Sequence, residues 1–299
     1  MNPAPTSISL AYSVDADDAF MFHALASGKI ADPGLRFSHR RGDTAELNRL
    51  ALDGAADVVA ISAGVYPRVA DRYQLLPHGA SVGRGFGPVV VAARAMVPSD
   101  LADRRVGIPG LTTTAWMVLR LIEPRAIPVE IPIVPFGRIF DAVAAGDVDA
   151  ALLIHEGRLI YPQRGLQLVV DLGAWWQEQV GLPLPLGVNV IRRALGPARV
   201  AQVSGLIRQS IRWAVDHRGE LIASLADRAI RERGEPALAD AALIDQYLSL
   251  YANADTVDMP EDARRGIEAL FHRTAGQDVD GSRDGDAWGN PNVPIDWAP

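Results

Sequence analysis

The chain of 299 residues contains no cysteine. Disulfides, thiolate metal sites and cysteine nucleophiles are therefore excluded, although the absence assigns no compartment. No run of about eighteen apolar residues occurs, so no membrane span is expected. No basic stripe stands out against a formal net charge of −7, and nucleic acid is not an expected partner. The stretch MNPAPTSISLAYSVDADDAF has no basic segment, and SISLAY is too short for the apolar part of a secretion signal, which makes a cytoplasmic protein the expectation. No second histidine stands at metal-ligand spacing, which argues against zinc. The glycine-rich stretch GASVGRGFGP (Gly79, Gly83, Gly85, Gly87) lacks a following lysine and hydroxyl residue, and it precedes a strand rather than a helix. It is neither a P-loop nor a dinucleotide fingerprint, and reads as a crossing between two lobes. No cofactor and no metal are expected.

What is present is an ordinary globular composition, 48% hydrophobic and 22% charged. The length allows two lobes with cores of their own. Strand patterns (SISLAYS, ADVVAIS, GPVVVAAR, RRVGIPG, VEIPIVPF, VDAALLI, LQLVVDLG) alternate with helical ones (DDAFMFHALASG, TAELNRLALDG, TTTAWMVLRLI, IFDAVAAG), which predicts α/β layers. The pattern is helical from Pro197 to Leu225 and again in LIDQYLSLYANA. A weak internal echo links LNRLALDGAADVVAIS and IFDAVAAGDVDAALLIH. Each reads helix, glycine, aspartate, apolar strand, then a polar residue, Ser62 in one and His155 in the other. Open α/β sheets bind ligands beyond the carboxyl ends of their strands. Four such ends here are polar: Ser13–Asp18, Ser62, Thr112–Thr114 and His155. The segment from Gly276 to Pro299 reads as irregular, with Trp288 and Trp297 as candidate pins.

His155 closes a buried strand and is either a general base or a structural histidine bonded to backbone. Glu156 should point to the other side and is expected to pair with Arg158 or a neighbouring arginine. Thr113 and Thr114 open a helix, where hydroxyls and free N–H groups form either an anion site or a simple cap. The acids of VDADD, Asp15, Asp17 and Asp18, cap a helix, line a pocket for hydroxyls or bind a cation weakly. Trp175 and Trp176 either roof a flat ligand or pack beneath the proline loop that follows.

GRGFGPVVVA, PGLTTTAW, LLIHEGRLIYPQRGL, VVDLGAWW and GLPLPLG occur in this order and at spacings that resemble the 1,4-dihydroxy-6-naphthoate synthase family of the futalosine route to menaquinone. AELNRLAL and YANADT extend the resemblance, which covers most of residues 8 to 272. It implies a periplasmic-binding-protein-like (type II) α/β fold of two lobes with a ligand cleft between them. Residues 1–91 and the helical part 188–275 would form the first lobe, 92–187 the inserted second, and 276–299 an irregular tail. The implied reaction is cleavage of cyclic dehypoxanthinyl futalosine to 1,4-dihydroxy-6-naphthoate and a three-carbon fragment, by a cofactor-free carbon–carbon lyase. The family's proposed base matches His155. Thr113 and Thr114 match the residues that would hold the substrate carboxylate, and Ser13, Asn48, Ser62, Asp17 and Asp18 would meet the rest of the substrate. One stretch departs: where the family has SPCPNDTF, this chain has SVDADDAF. Ser13, Asp18 and Phe20 are kept, the prolines are gone, and an asparagine is replaced by Asp17. An added carboxylate disfavours an anionic group beside it. The alternatives are a solute-binding-like protein for a small aromatic or carboxylate ligand, and a paralogous lyase with another substrate. The expected partner is a small molecule, with a homodimer left open as the assembly.

Overall fold

The apolar strand patterns fold into two sheets. The computed structural model describes residues 4–275, 277, 290 and 293–299. Eleven strands are formed in it: β1 Thr6–Ser13, β2 Leu35–Gly42, β3 Val58–Ser62, β4 Tyr73–Leu75, β5 Ser81–Gly83, β6 Val89–Ala92, β7 Arg105–Ile108, β8 Ile127–Glu130, β9 Ala150–Leu153, β10 Gln167–Asp171 and β11 Leu184–Arg192. The first sheet runs β2-β1-β3-β11-β4, with β5 also paired to β11; the second runs β10-β6-β9-β7-β8. In the first, β1 is parallel to β2 and β3, and β11 enters antiparallel. In the second, β7 is parallel to β8 and β9, and β6 enters antiparallel. The two sheets thus repeat one winding, and each receives one strand by exchange. The central strands are short apolar runs, as a parallel sheet covered on both faces requires: β6 and β9 are buried at every residue.

The sequence echo occupies equivalent places. Helix Thr44–Leu52 leads into β3, and helix Arg138–Ala145 leads into β9, which stands in the second sheet where β3 stands in the first. The second helix stops at Gly146, whose φ of 75° is the left-handed turn that favours glycine. The strand expected over VEIPIVPF starts two residues early, at Ile127, and ends at Glu130, because Pro132 and Pro135 carry no N–H for a ladder.

The exchanges fall between Gly83 and Val89 and between Asp171 and Leu184, a few residues before the expected boundaries at 92 and 187. The crossings touch. A Cβ on Gly173 would lie 2.0 Å from the Phe86 carbonyl carbon and 2.5 Å from Gly87 N, so only glycine admits this approach. The glycine-rich stretch is therefore a crossing between sheets, as the sequence indicated.

Beyond β11 the chain is helical: Pro197–Asp216, Arg218–Arg233, Ala241–Tyr251 and Glu261–Thr274. No helix among the described residues is long and apolar enough to cross a membrane. The end of the chain lies along the free edge of β4. Leu75 N–H donates to Asp296 O (2.9 Å), and Ala298 N–H donates to Leu75 O (2.7 Å). Asp296 pairs with Arg193, and Arg264 lies over the Trp297 ring at 4.6 Å. Ser204 Oγ donates to Pro299 O (2.7 Å). Trp297 is thus a pin, while Trp288 lies outside the described residues.

Candidate active site

The ends of β1, β3 and β9 and the turn after β7 converge on one cavity of about 770 Å³, partly open to solvent. Its wall includes Ser13, Ser62, Thr113, Thr114 and His155, together with Asp15, Asp17 and Asp18 at the start of the helix after β1. The four polar strand ends therefore meet, as switch-point geometry requires.

His155 follows β9 with φ of 52°, a left-handed conformation. For a residue with a Cβ this costs about 1–3 kcal/mol and persists only where the surroundings enforce it. Three side chains do so. Asp15 pairs with Nδ1, Tyr247 Oη lies 3.5 Å from the same nitrogen, and Thr44 Oγ1 lies 3.2 Å from Nε2. The ring is thus held by side chains rather than by backbone. Glu156 turns the other way, as adjacent residues at a strand end should. Its partner is not Arg158 but Arg233, 2.6 Å away, and both side chains are fully buried. Glu156 Oε1 also accepts from Ala16 N–H (3.2 Å). Arg158 instead donates to Gly87 O (2.6 Å) and Asp171 (3.1 Å). The sequence could not show this exchange, because Arg233 belongs to a helix 77 positions away.

The acidic loop is not plain capping. Asp15 stands at the N-cap of helix Ala16–Met21 but makes no side-chain cap bond there. Asp17 accepts from Ser81 Oγ (2.7 Å) and Asp18 N–H (3.0 Å). Asp18 accepts from Ser13 N–H (2.6 Å), and Ser13 Oγ accepts from Asp15 N–H (3.0 Å). All three carboxyls are buried. Burial works against the charge on Asp15, but the His155 ring beside it prevails and holds it below the usual carboxylate range. Burial and the negative charges of Asp15 and Asp18 push Asp17 well above that range. Burial and the charge of Asp15 push Asp18 up to about 7. Ligand atoms of Asp15, Asp17 and His155 lie within 4.8 Å of one another, a spacing that one small cation can bridge.

Asp18 makes stability depend on pH. Its folded value of about 7 exceeds the unfolded value of about 3.9, so the folded state holds the proton more tightly. Its contribution is most favourable below the unfolded value and is lost as pH rises to about 7. Asp18→Asn keeps an acceptor for Ser13 N–H and carries no charge. The melting temperature of the variant relative to the parent is therefore expected to rise between pH 4 and pH 8, by the equivalent of up to a few kcal/mol at about 1.4 kcal/mol per pKa unit. A difference that stays flat across that range would show that Asp18 ionises as it does in water.

Three of the residues expected to meet substrate have side chains engaged within the protein. Asn48 is fully buried and stands behind the wall rather than on it. Its amide donates to Ser62 Oγ (3.1 Å) and to the carbonyl (3.0 Å) and hydroxyl (3.1 Å) of Thr112, and its oxygen accepts from Ser62 N–H (2.9 Å). A side chain so engaged fixes Ser62, and its full burial keeps it from the cavity. The Thr113 hydroxyl donates to Gly110 O (2.9 Å) and accepts from Trp116 N–H (3.2 Å), the simple cap. The Thr114 hydroxyl donates to Leu186 O (2.9 Å) and accepts from Gly64 N–H (3.1 Å), which ties the helix of the second sheet to the first. What this helix start offers the cavity is its first N–H groups, those of Thr114 and Ala115, which have no intrahelical partner. Trp176 is fully buried and Trp175 partly so, and neither reaches the cavity, so packing accounts for both.

Sequence reasoning did not select Asp15, Thr44, Ser81, Tyr247 or Tyr251, all of which line the cavity. Asp15 was visible only as one acid of three, and no pattern ranks the three. Tyr247 and Tyr251 arrive on helix Ala241–Tyr251; the sequence shows that helix in LIDQYLSLYANA, but only Tyr251 falls in the YANADT stretch and nothing local aims either ring at the cavity.

The menaquinone biosynthesis family model matches residues 8–276. A 1,4-dihydroxy-6-naphthoate synthase of Thermus thermophilus is 37% identical over 89% of this chain and 93% of its own length. One of Streptomyces coelicolor is 36% identical over 91% and 94%. Among solved structures, the protein AF1704 of Archaeoglobus fulgidus superposes with a TM-score of 0.80 at 40% identity, covering 90% of this chain and 96% of its own. The alkanesulfonate-binding protein SsuA of Xanthomonas axonopodis pv. citri, bound to MOPS, superposes with a TM-score of 0.65 at 14% identity, covering 90% and 92%. The last match shows the fold alone, that of periplasmic binding proteins. With the family model spanning most of its length and both synthases matched over nine-tenths of theirs, the chain belongs to the menaquinone biosynthesis family, in its 1,4-dihydroxy-6-naphthoate synthase group.

Proposed function

We propose that the protein converts cyclic dehypoxanthinyl futalosine to 1,4-dihydroxy-6-naphthoate, with His155 as the base. The observation that carries this reading is the His155 ring itself, which sits on the cavity wall on strained backbone, with polar side chains on both nitrogens. Neutral His155 takes the proton of a sugar-derived hydroxyl. The oxygen's electron pair becomes a new carbonyl bond, the adjacent carbon–carbon bond breaks, and its pair stays on the ring-side carbon as an enolate. The three-carbon fragment departs, and later proton loss yields the aromatic naphthoate, whose aromaticity drives the sequence.

Each remaining residue has a place in this reading. The Thr114 and Ala115 N–H groups at the helix start receive the substrate carboxylate. Ser13, Ser62, Asp17 and Asp18 meet hydroxyls, with Asn48 holding Ser62 from behind. The protonated tendency of Asp17 and Asp18 relieves the repulsion that three carboxylates would exert on an acidic substrate. Closure of the lobes about the glycine crossing excludes water during the cleavage. No cofactor is invoked.

Purified protein supplied with the cyclic futalosine derivative is expected to release 1,4-dihydroxy-6-naphthoate, and to do so equally after exhaustive dialysis against EDTA. Activity lost to the chelator and restored by one divalent ion would overturn the cofactor-free reading and place that ion among Asp15, Asp17 and His155. Ligand binding without turnover would favour the binding-protein alternative. Neither binding nor turnover would point to a substrate selected by the altered SVDADDAF loop.

A further inference from the structure

Asp15 presents a problem of accounting. Its side chain is 3% exposed. One carboxyl oxygen, Oδ2, pairs with His155 Nδ1. The other, Oδ1, is buried with no hydrogen-bond partner. The residue occupies a helix N-cap yet leaves the cap unbonded. A buried acid that neither caps its helix nor reaches solvent has to be explained by what it does to its one close partner. That partner is the histidine at the cavity wall.

We infer that Asp15 is a positioning residue for His155, holding the imidazole as the Nδ1–H tautomer so that Nε2 is the atom that accepts the substrate proton. This rests on the reading of His155 as the base. The two ring nitrogens cannot both be acceptors in the neutral ring, and the one that carries hydrogen is set by the bond it makes. A buried carboxylate at Nδ1 demands a donor there. Nε2 then keeps its lone pair and faces Thr44 Oγ1, a hydroxyl on the cavity wall at 3.2 Å. Tyr247, at 3.5 Å from Nδ1, is too distant to compete with the carboxylate.

The surroundings keep Asp15 ionised. The groups that bear on it are His155, Ser13, Arg233 and the neighbouring acid Asp17. Arg233 is held in place by Glu156, so the residue following the base helps to fix the charge of the residue that orients it. Burial and the negative charge of Asp15 push the neighbouring Asp17 well above the usual carboxylate range, so the cluster favours placing its charge on Asp15, beside the His155 ring. The strained backbone of His155 fits the same account, since an over-determined ring is what holds a left-handed residue in place.

The test reads the ring directly. In protein labelled with nitrogen-15 at histidine, the His155 signals are assigned by their absence from His155→Gln. At a pH where the ring is neutral, Nδ1 is expected to show the shift of a protonated nitrogen and Nε2 that of a bare one. Asp15→Asn, of the same shape, is expected to lose or reverse that pattern and to lower kcat by about a hundredfold to ten-thousandfold, with KM changed less than threefold, as for a histidine base given the wrong tautomer. Parent protein with Nε2 protonated would overturn the inference, and so would an Asp15→Asn variant that keeps both the parent pattern and the parent kcat. The nitrogen signals of the parent report the tautomer whether or not a variant folds and whether or not turnover is seen. A parent with the expected pattern whose His155→Asn variant turns over normally would leave Asp15 as the orienting group and remove His155 as the base.

Discussion

His155→Asn is expected to melt like the parent and to lose turnover by about a hundredfold to ten-thousandfold, the usual consequence of removing a general base. Asparagine keeps a polar group of similar reach, so a hydrogen bond to Asp15 or Thr44 can be retained in part. Its amide cannot accept a proton at neutral pH. It also tolerates the left-handed region better than most residues with a Cβ, so the φ of 52° at this position adds little strain in the variant. Substrate affinity should change little, because the carboxylate and hydroxyl contacts come from other strand ends. The measurement is product formation under single-turnover conditions, with thermal melting as the folding control. A variant that melts normally and turns over like the parent would show that the base is another group.

The second large effect is on stability. Arg233→Met is expected to destabilise the protein by about 3–5 kcal/mol, because it leaves Glu156 charged and buried without its partner. Glu156 and Arg233 are both fully buried, 2.6 Å apart, and the guanidinium lies 4.2 Å from the centre of the Phe136 ring. For a chain of this size the loss corresponds to a fall in melting temperature on the order of 10 °C. The double variant Glu156→Gln, Arg233→Met removes both charges and leaves an acceptor for Ala16 N–H. It should recover most of the loss, since an apolar replacement for a buried pair is often near neutral. Equal destabilisation of single and double variants in urea unfolding would mean that the Arg233 stem and its stacking on Phe136 matter more than the charge pair.

Much of the fold could be read from the chain because it depends on local periodicity. The apolar runs of β1, β3, β6 and β9 and the glycine-ended helices before β3 and β9 are local signals, and their repetition revealed the doubled winding. β2, with mostly polar and exposed residues, and β11, inside the proline-rich stretch after Gly181, lack such a signal and went unread. In the site, the polar strand ends could be read because a hydrophobic run that stops at a polar residue marks where a sheet ends. Pairing across the fold could not. Nothing near Glu156 points to Arg233, and nothing near Asp15 distinguishes it from Asp17. The engagement of the Asn48, Thr113 and Thr114 side chains also depends on partners that only the folded chain supplies. Residue type told where polarity would gather, and burial decided which groups remained free for chemistry.

The docking of Asp296, Trp297 and Ala298 on β4 sets an order for synthesis. All five strands of the second sheet lie between Val89 and Asp171 and can pair once that stretch has left the ribosome. The first sheet, begun earlier with Thr6, has to wait for Leu184–Arg192 to be inserted between β3 and β4. Even then the outer edge of β4 stays open until Asp296, Trp297 and Ala298 emerge. At about 5–20 residues per second, the interval from Asp171 to Ala298 is on the order of ten seconds. The lobe that starts first therefore closes its β4 edge last, and through that interval the edge presents unpaired N–H and C=O groups to which another chain can bond.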